Sequence, residues 1–428
     1  MSVSAVTSPD RRNGRARIRV RRWRAVGLLA GVALLAACSS SSTSSSSGGS
    51  GGSAAASSTF CQGGVTDVSY AGPMSGAEAT YGQEQYDGLS LAVSLFNSAG
   101  GFTAGPLKGC KVKVLGPYDD ESQPSTGATI ATRLSTNSHL LMYFGDVDSG
   151  VTLAALPILS RAGIPVINSY SSSPELTSLG YKDFFRVILN DNSQGSAIAD
   201  LLKNTFHDTR YAAVWPDDVF GQGISAAFLK EAASLGVSVP VNYSYPATQT
   251  DFSVLASKVR GAHVDAVALL GVYSSDGLVV KQLASTGVPP SASTVYLANA
   301  SDNAPQFVSL AGASAANGVY ITGLWNPANA SAAGKVFAAK FESVYHSAPA
   351  EDAATAYDAF NVFARAVEQG GGTRSDLIAA LQKITPANPY TGLTGAIGFL
   401  PTGQRAVEVP ILLKVVNGQI VAAPSTSP

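Results

Sequence analysis

The chain has 428 residues, 45% hydrophobic and 13% charged, with 28 basic residues against 29 acidic ones and a formal net charge of −1. The balance is uneven: the first 37 residues hold eight of the basic residues, all arginine, and one acidic residue, leaving 20 basic against 28 acidic beyond them. A domain with that acidic excess is a poor partner for nucleic acid or for a polyanionic membrane patch.

The arginine-rich start runs into an apolar segment from Ala25 to Ala37, which is too short to span a bilayer as a mature helix and is arranged as an export signal. It closes on Leu34-Leu35-Ala36-Ala37-Cys38, an order that resembles the lipobox of bacterial lipoproteins. The resemblance implies acylation of the Cys38 thiol and cleavage just before it, with residues 1–37 as signal peptide; an ordinary signal with an incidental cysteine is the alternative. The Ser/Gly-rich stretch 38–59 has too little apolar surface to fold and is expected to be a tether, with roughly 25 Å of reach. The expected location is therefore extracytoplasmic, anchored to the cell membrane. The other two cysteines, Cys61 and Cys110, each precede an apolar stretch at the start of an expected strand. In an exported protein they are expected to pair as a disulfide, with free buried thiols as the alternative.

From Phe60 onward about 370 residues remain, too many for one compact core, so two domains are expected. The apolar pattern places a strand at 65–70, then a helix at 86–98 with Leu89, Ala92, Val93 and Phe96 on one stripe and Gly100-Gly101 as its stop. Strand 111–116, helix 125–135, strand 140–144, helix 151–162 and strand 165–168 continue the rhythm. A strand-like run at 185–190 leads to a second series: helix 194–206, strand 211–215, helix 223–235, strand 238–243, helix 252–261, strand 266–271 and helix 276–286. Alternation of this kind predicts an α/β fold with doubly wound parallel sheets.

Those residues carry a resemblance over nearly the whole chain beyond the tether. The stretches are Gly72-Pro73-Met74-Ser75-Gly76, Tyr81-Gly82, 97–101, Tyr118-Asp119-Asp120, 165–177, Phe220-Gly221-Gln222-Gly223, Thr250-Asp251-Phe252-Ser253, 318–322, Tyr357-Asp358-Ala359 and 391–398. Together they resemble the branched-chain amino acid (Leu/Ile/Val) binding family of ABC transporters, type I periplasmic binding proteins. The resemblance implies two lobes joined by three crossings near 187–191, 321–326 and 391–399. Residues 60–188 plus 323–392 then form one lobe and 189–322 plus 393–428 the other, with ligand held in the cleft between them and closure sensed by a membrane permease.

The resemblance also implies site residues. Tyr81 lines the pocket with its ring. Ser149, at a helix start after Asp148, holds a carboxylate together with Ser172, beside the backbone of Tyr170; a plain N-cap role for Ser149 is the alternative. Phe220 stands where the family usually has tyrosine, and Tyr273 supplies a second-lobe aromatic. The acid that pairs with a ligand ammonium is expected near Asn299 to Asp302, where the aligned position is alanine and Asp302 lies two residues on. Asp146 and Asp148 sit beside the presumed carboxylate site and would repel an anion unless they point away, act as caps or hold an amine.

Enzyme readings find no support: no Gly-x-Ser-x-Gly, His-Glu-x-x-His or Walker loop is present, and His139, His207, His263 and His346 are scattered without metal spacing. Gly221-x-Gly223-x-x-Ala226 imitates a dinucleotide fingerprint, but it lies five residues beyond its strand, with no acid at the end of the next. No catalytic residue, metal or cofactor is expected. The expectation is a monomeric binding protein that delivers a small polar organic solute, an amino acid or a relative, to an ABC importer. A ligand-sensing receptor for amides or amino acids is the rival, disfavoured because no membrane-spanning or signalling segment appears in the sequence up to Pro428.

Overall fold

The computed structural model describes residues 59–406 and 410–424; the leader, Cys38 and the tether up to residue 58 lie outside the described residues. Five strands form a first sheet: β1 (Val65–Gly72), β2 (Lys111–Asp119), β3 (Leu140–Phe144), β4 (Val166–Asn168) and β5 (Phe184–Arg186). All its pairings are parallel, in the order β2-β1-β3-β4-β5. Every residue of β3 is buried, as its unbroken Leu-Leu-Met-Tyr-Phe requires of a strand covered on both faces. One apolar cluster joins Val68, Leu89, Phe360 and Phe363, and a second joins Ala71, Leu134, Leu156 and Leu159.

The second sheet takes β6 (Arg210–Pro216), β7 (Ser238–Tyr245), β8 (Ala266–Leu269), β9 (Val295–Ala298) and β10 (Tyr320–Gly323). After an antiparallel ribbon of β11 (Tyr390–Gly392) and β12 (Gly395–Ile397), it is completed by β13 (Ile411–Val416) and β14 (Gln419–Ala422). Its order is β14-β13-β10-β9-β8-β6-β7, parallel except for the two pairings made by β13. No helix among the described residues is long and apolar enough to cross a membrane.

Several helices start earlier than the apolar stripe predicts. The first runs Ala79–Ser98, the one expected at 223 runs Val219–Ser234, and the one expected at 276 runs Tyr273–Ser285. Their first turns carry Gly, Ser, Asp and aromatic residues, of which Tyr81 and Tyr273 reach the other lobe, so the stripe that marks core-facing positions is silent there. Asp218 caps the second of them by accepting from the Gly221 N–H at 2.8 Å. The helix expected at 194–206 runs Asp191–Asp200 and continues as a π-helical turn to Thr205.

The chain crosses to the second sheet after Arg186 and returns after Gly323. The third crossing differs from the expected division at residue 393. Ile397 and Phe399 belong to the first lobe's core, where the Phe399 ring lies 5.1 Å from that of Phe185. The ribbon is fastened there by Asp358, which accepts from the Leu393 and Thr394 N–H groups at 2.8 and 2.9 Å. The passage into the second sheet therefore follows Arg405. Buried Arg186 and Arg405 bind the crossings together: Arg186 donates to Gln404 Oε1 and to the Ser171 and Ser173 carbonyls, and Arg405 donates to the Val187 carbonyl at 2.7 Å.

Cys61 and Cys110 are joined by a disulfide at the starts of β1 and β2, with Cα atoms 6.1 Å apart. Gly88 lets the Glu351–Glu368 helix approach the Ala79–Ser98 helix closely, since any Cβ there would overlap the Ala353 backbone. That contact seats the first turn of the Glu351–Glu368 helix beside the cleft. Gly88→Ala should therefore destabilise the protein by about 1–3 kcal/mol through overpacking, read as a lower midpoint in chemical denaturation.

Candidate functional site

The C-terminal ends of both sheets face one cleft, the place where open parallel sheets hold ligands. Asn168, at the end of β4, builds the first-lobe wall. Its Nδ2 donates to the carbonyls of Gly145 and Asp146 at 2.9 and 2.8 Å, and its Oδ1 accepts from the N–H groups of Tyr170 and Ser171. One buried amide thus aligns the loop carrying Asp148 and Ser149 with the loop carrying Tyr170 and Ser172. The same bond spends the Tyr170 amide, which is no longer free for a ligand.

Between the lobes lies a cavity of about 470 Å³, walled by 75–78, 121–124, 147–151, Tyr170 and Ser172 from the first lobe and by 218–220, 247–248, Val272 and Ser301 from the second. Of the residues expected from sequence, Asp148, Ser149, Tyr170, Ser172 and Phe220 line it. Ser149 Oγ accepts from the Ser173 N–H at 3.1 Å, which leaves its O–H to donate. No lysine, arginine or histidine is among the lining residues, whereas Glu78, Glu121, Asp148 and Asp218 are. Burial, then the neighbouring Asp148, holds the Glu78 carboxyl well above its ordinary range. Burial pushes Asp218 up to about 6, with Asp148 adding to the rise. Asp146 is turned away: it is fully buried and takes the Tyr143 hydroxyl.

Tyr81, Tyr273, Asn299 and Asp302 do not line this cavity; each is used in holding the lobes or the wall. The Tyr81 hydroxyl donates to the Ser301 carbonyl of the second lobe at 2.8 Å and accepts from the Tyr273 N–H at 3.1 Å. Its ring packs against Tyr170 at 5.0 Å and Tyr273 at 4.6 Å, and the Tyr273 hydroxyl donates to the Ala77 carbonyl. Asn299 is consumed by the Leu269 and Gly271 carbonyls and by the Ser301 N–H. Asp302 is fully buried beside Asp276, and neither of its oxygens has a hydrogen-bond partner among the described residues. Burial raises the pKa of both.

Behind Tyr170, Ser172 and Ser301 the cleft continues toward the crossings as a compartment of about 30 Å³. Glu351 and Asp352 reach it from the start of the Glu351–Glu368 helix, together with Gln194 and Thr355. Glu351 accepts from Asn303 Nδ2 and the Leu324 N–H, both at 2.9 Å. Sequence reasoning missed both acids, because acidic residues in a first helical turn usually favour the helix dipole from the surface. It also missed Glu78 as a cleft residue.

This architecture and cleft coincide with a match to the periplasmic binding protein family over residues 67–419. The chain belongs to the periplasmic binding protein family. It is 27% identical over 332 residues to the leucine-, isoleucine-, valine-, threonine-, and alanine-binding protein of Pseudomonas aeruginosa, covering 78% of this chain and 85% of that one. An amino acid binding protein of the same organism is 28% identical, but that match spans only 52% of this chain and 58% of the relative. Among solved structures, the branched-chain amino acid transporter substrate binding protein LivJ of Streptococcus pneumoniae, in complex with isoleucine, superposes with a TM-score of 0.75 at 25% identity, covering 83% of this chain and 97% of that one. A solute binding protein of Rhodopseudomonas palustris BisB5, in complex with 3,4-dihydroxy benzoic acid, shares the fold with a TM-score of 0.74 at 20% identity, covering 84% and 96%. These relatives and neighbours are substrate-binding proteins, and this family member stands with them rather than with enzymes.

The buried acids make a pH prediction. A carboxyl whose pKa is raised in the folded chain binds more protons folded than unfolded, so its burden on stability grows as pH rises through the raised range. Asp191 and Glu351 are each pushed up to about 7 by burial, and the Asp276–Asp302 pair moves in the same direction. The protein should melt higher near pH ~5 than near pH ~8. Asp302→Asn should raise the melting temperature by a few degrees at the higher pH and less at the lower, while leaving ligand affinity unchanged, as calorimetry and titration would show.

Proposed function

We propose that this protein is the lipid-anchored, extracytoplasmic receptor of an ABC importer, capturing a small polar organic solute, an amino acid or a close relative, and presenting it to the membrane permease as a monomer. The observation that carries the reading is the 470 Å³ cavity walled by both lobes. A ligand that touches both walls stabilises the closed arrangement, and closure is a change of shape that a permease can read. The isoleucine complex of LivJ and the name of the Pseudomonas relative supply the ligand class. The chemistry of the lining is compatible with it: acids accept from a protonated nitrogen, and the Ser149 hydroxyl with the free N–H groups at the start of its helix donates to a carboxylate or another acceptor. An aromatic acid without nitrogen, the type of ligand in the Rhodopseudomonas protein, is less well suited, since it brings a second negative charge and no nitrogen donor to a wall of Glu78, Asp148 and Asp218.

Thermal-shift and calorimetric titration of residues 59–428 against amino acids, amides, amines and carboxylates tests the reading, because a ligand of the native state raises its melting temperature by mass action. Nitrogen-bearing solutes should bind, and Phe220→Ala should weaken the best of them about tenfold by removing an aromatic wall; turnover of any solute would contradict the proposal. In cells, Cys38→Ser should move the protein from the membrane fraction to the soluble one, and unchanged membrane association would remove the lipid anchor from the scheme.

A further inference from the structure

Glu351 and Asp352 are adjacent in the first turn of one helix, yet only one of them is satisfied. Glu351 holds three donors, Asn303 Nδ2 and the Leu324 and Trp325 N–H groups. Asp352 as a residue is 8% exposed; its side chain lines the inner compartment, and its oxygens are not among the fully buried atoms that lack a partner, so what little surface the carboxylate keeps opens onto that space. The charges acting on it are those of Glu84 and Glu351, both acids. A carboxylate that meets so little water and sits beside a second acid is costly to keep charged. The deficit is one of positive charge and donors, in a compartment that also contains the unpartnered Oε1 of Gln194 and the hydroxyls of Ser169 and Thr355.

The compartment has the size for such a group. At about 30 Å³ it takes one ammonium-sized head with a methylene behind it, while the neighbouring 470 Å³ takes the bulk of a solute. The wall between the two is a seam between lobes, with Tyr170 and Ser172 from one side and Ser301 from the other. Parting of the lobes would break the Tyr81 bond to the Ser301 carbonyl and open the inner compartment to the outer one.

We propose that Asp352, with Gln194 beside it, is the counter-charge for the protonated nitrogen of the ligand, which enters the inner compartment head first while the remainder of the solute stays in the outer cavity. The proposal rests on the solute-receptor reading above and assigns to the first lobe the ammonium partner that the sequence places at Asp302 in the second. The ligand class that follows is a solute with a primary or secondary amine on a slender arm, so an aliphatic amino acid or amine fits and a carboxylate lacking nitrogen does not.

The test compares wild type, Asp352→Asn and Gln194→Leu by calorimetry against the twenty amino acids, isoamylamine, putrescine and 4-methylvalerate. Nitrogen-bearing solutes should bind wild type, and the tightest should lose about 100-fold with Asp352→Asn and about tenfold with Gln194→Leu, the scale of a charged and a neutral buried hydrogen bond. Without ligand, Asp352→Asn should melt above wild type, because the variant buries no lone charge. Wild-type affinity in both variants, or an Asp352→Asn protein that melts lower without ligand, overturns the assignment and leaves the receptor reading standing. Binding of 4-methylvalerate alone overturns the assignment too. If none of the probes binds wild type, the receptor reading for this solute class falls and the assignment falls with it.

Discussion

The Tyr81 hydroxyl is the contact on which the shape of the cleft depends. It donates to a carbonyl of the second lobe and accepts from an N–H of the same lobe, and its ring lies between Tyr170 and Tyr273. Since the residue is fully buried, each of those bonds is made away from competing water, where a lost partner is expensive. The bond to the Ser301 carbonyl draws that residue up to Tyr170 and thereby divides the space between the lobes into an outer cavity and an inner compartment. A tyrosine that a family resemblance assigns to ligand contact is here a strut that decides which surfaces a ligand can reach.

Acidity is the second constraint. The outer cavity, the inner compartment and the seam behind Asp302 all contain carboxyls, and none of the residues lining either space carries a positive charge. Burial raises the pKa of Glu78 toward the cavity and of Asp276 and Asp302 in the second lobe's interior, in each case with a neighbouring acid beside it. Backbone and amide donors take care of Glu351. What remains is a cleft lined by acids and by no basic residue, the ground on which a solute with a protonated nitrogen is proposed.

The strand positions of the first lobe were legible because each strand is a short apolar run ended by polar or turn-forming residues, and β3 shows it most plainly. Helix starts were less legible: at Ala79, Val219 and Tyr273 the opening turn serves the cleft, so its residues do not follow the core-facing stripe. The cavity residues Asp148, Ser149 and Phe220 lie at loop-to-helix junctions, which a motif can mark. Asp302 shows the opposite case: its position in sequence is close to the expected acid, yet a one-turn helix after Asn299 directs it to Asp276 rather than to the cleft.

The sequence by itself determined the doubly wound α/β class, the presence of two lobes and the family, because strand and helix periodicity and the ordered motifs are local properties of the chain. Tertiary structure alone decided which acids meet a ligand, where the third crossing falls and which aromatics are struts. Those outcomes depend on contacts between residues more than 200 positions apart, such as Tyr81 with Ser301 and Arg186 with Gln404. The donors that separate Glu351 from its equally buried neighbour Asp352 come from Asn303, Leu324 and Trp325, and they are in place only once the chain has folded.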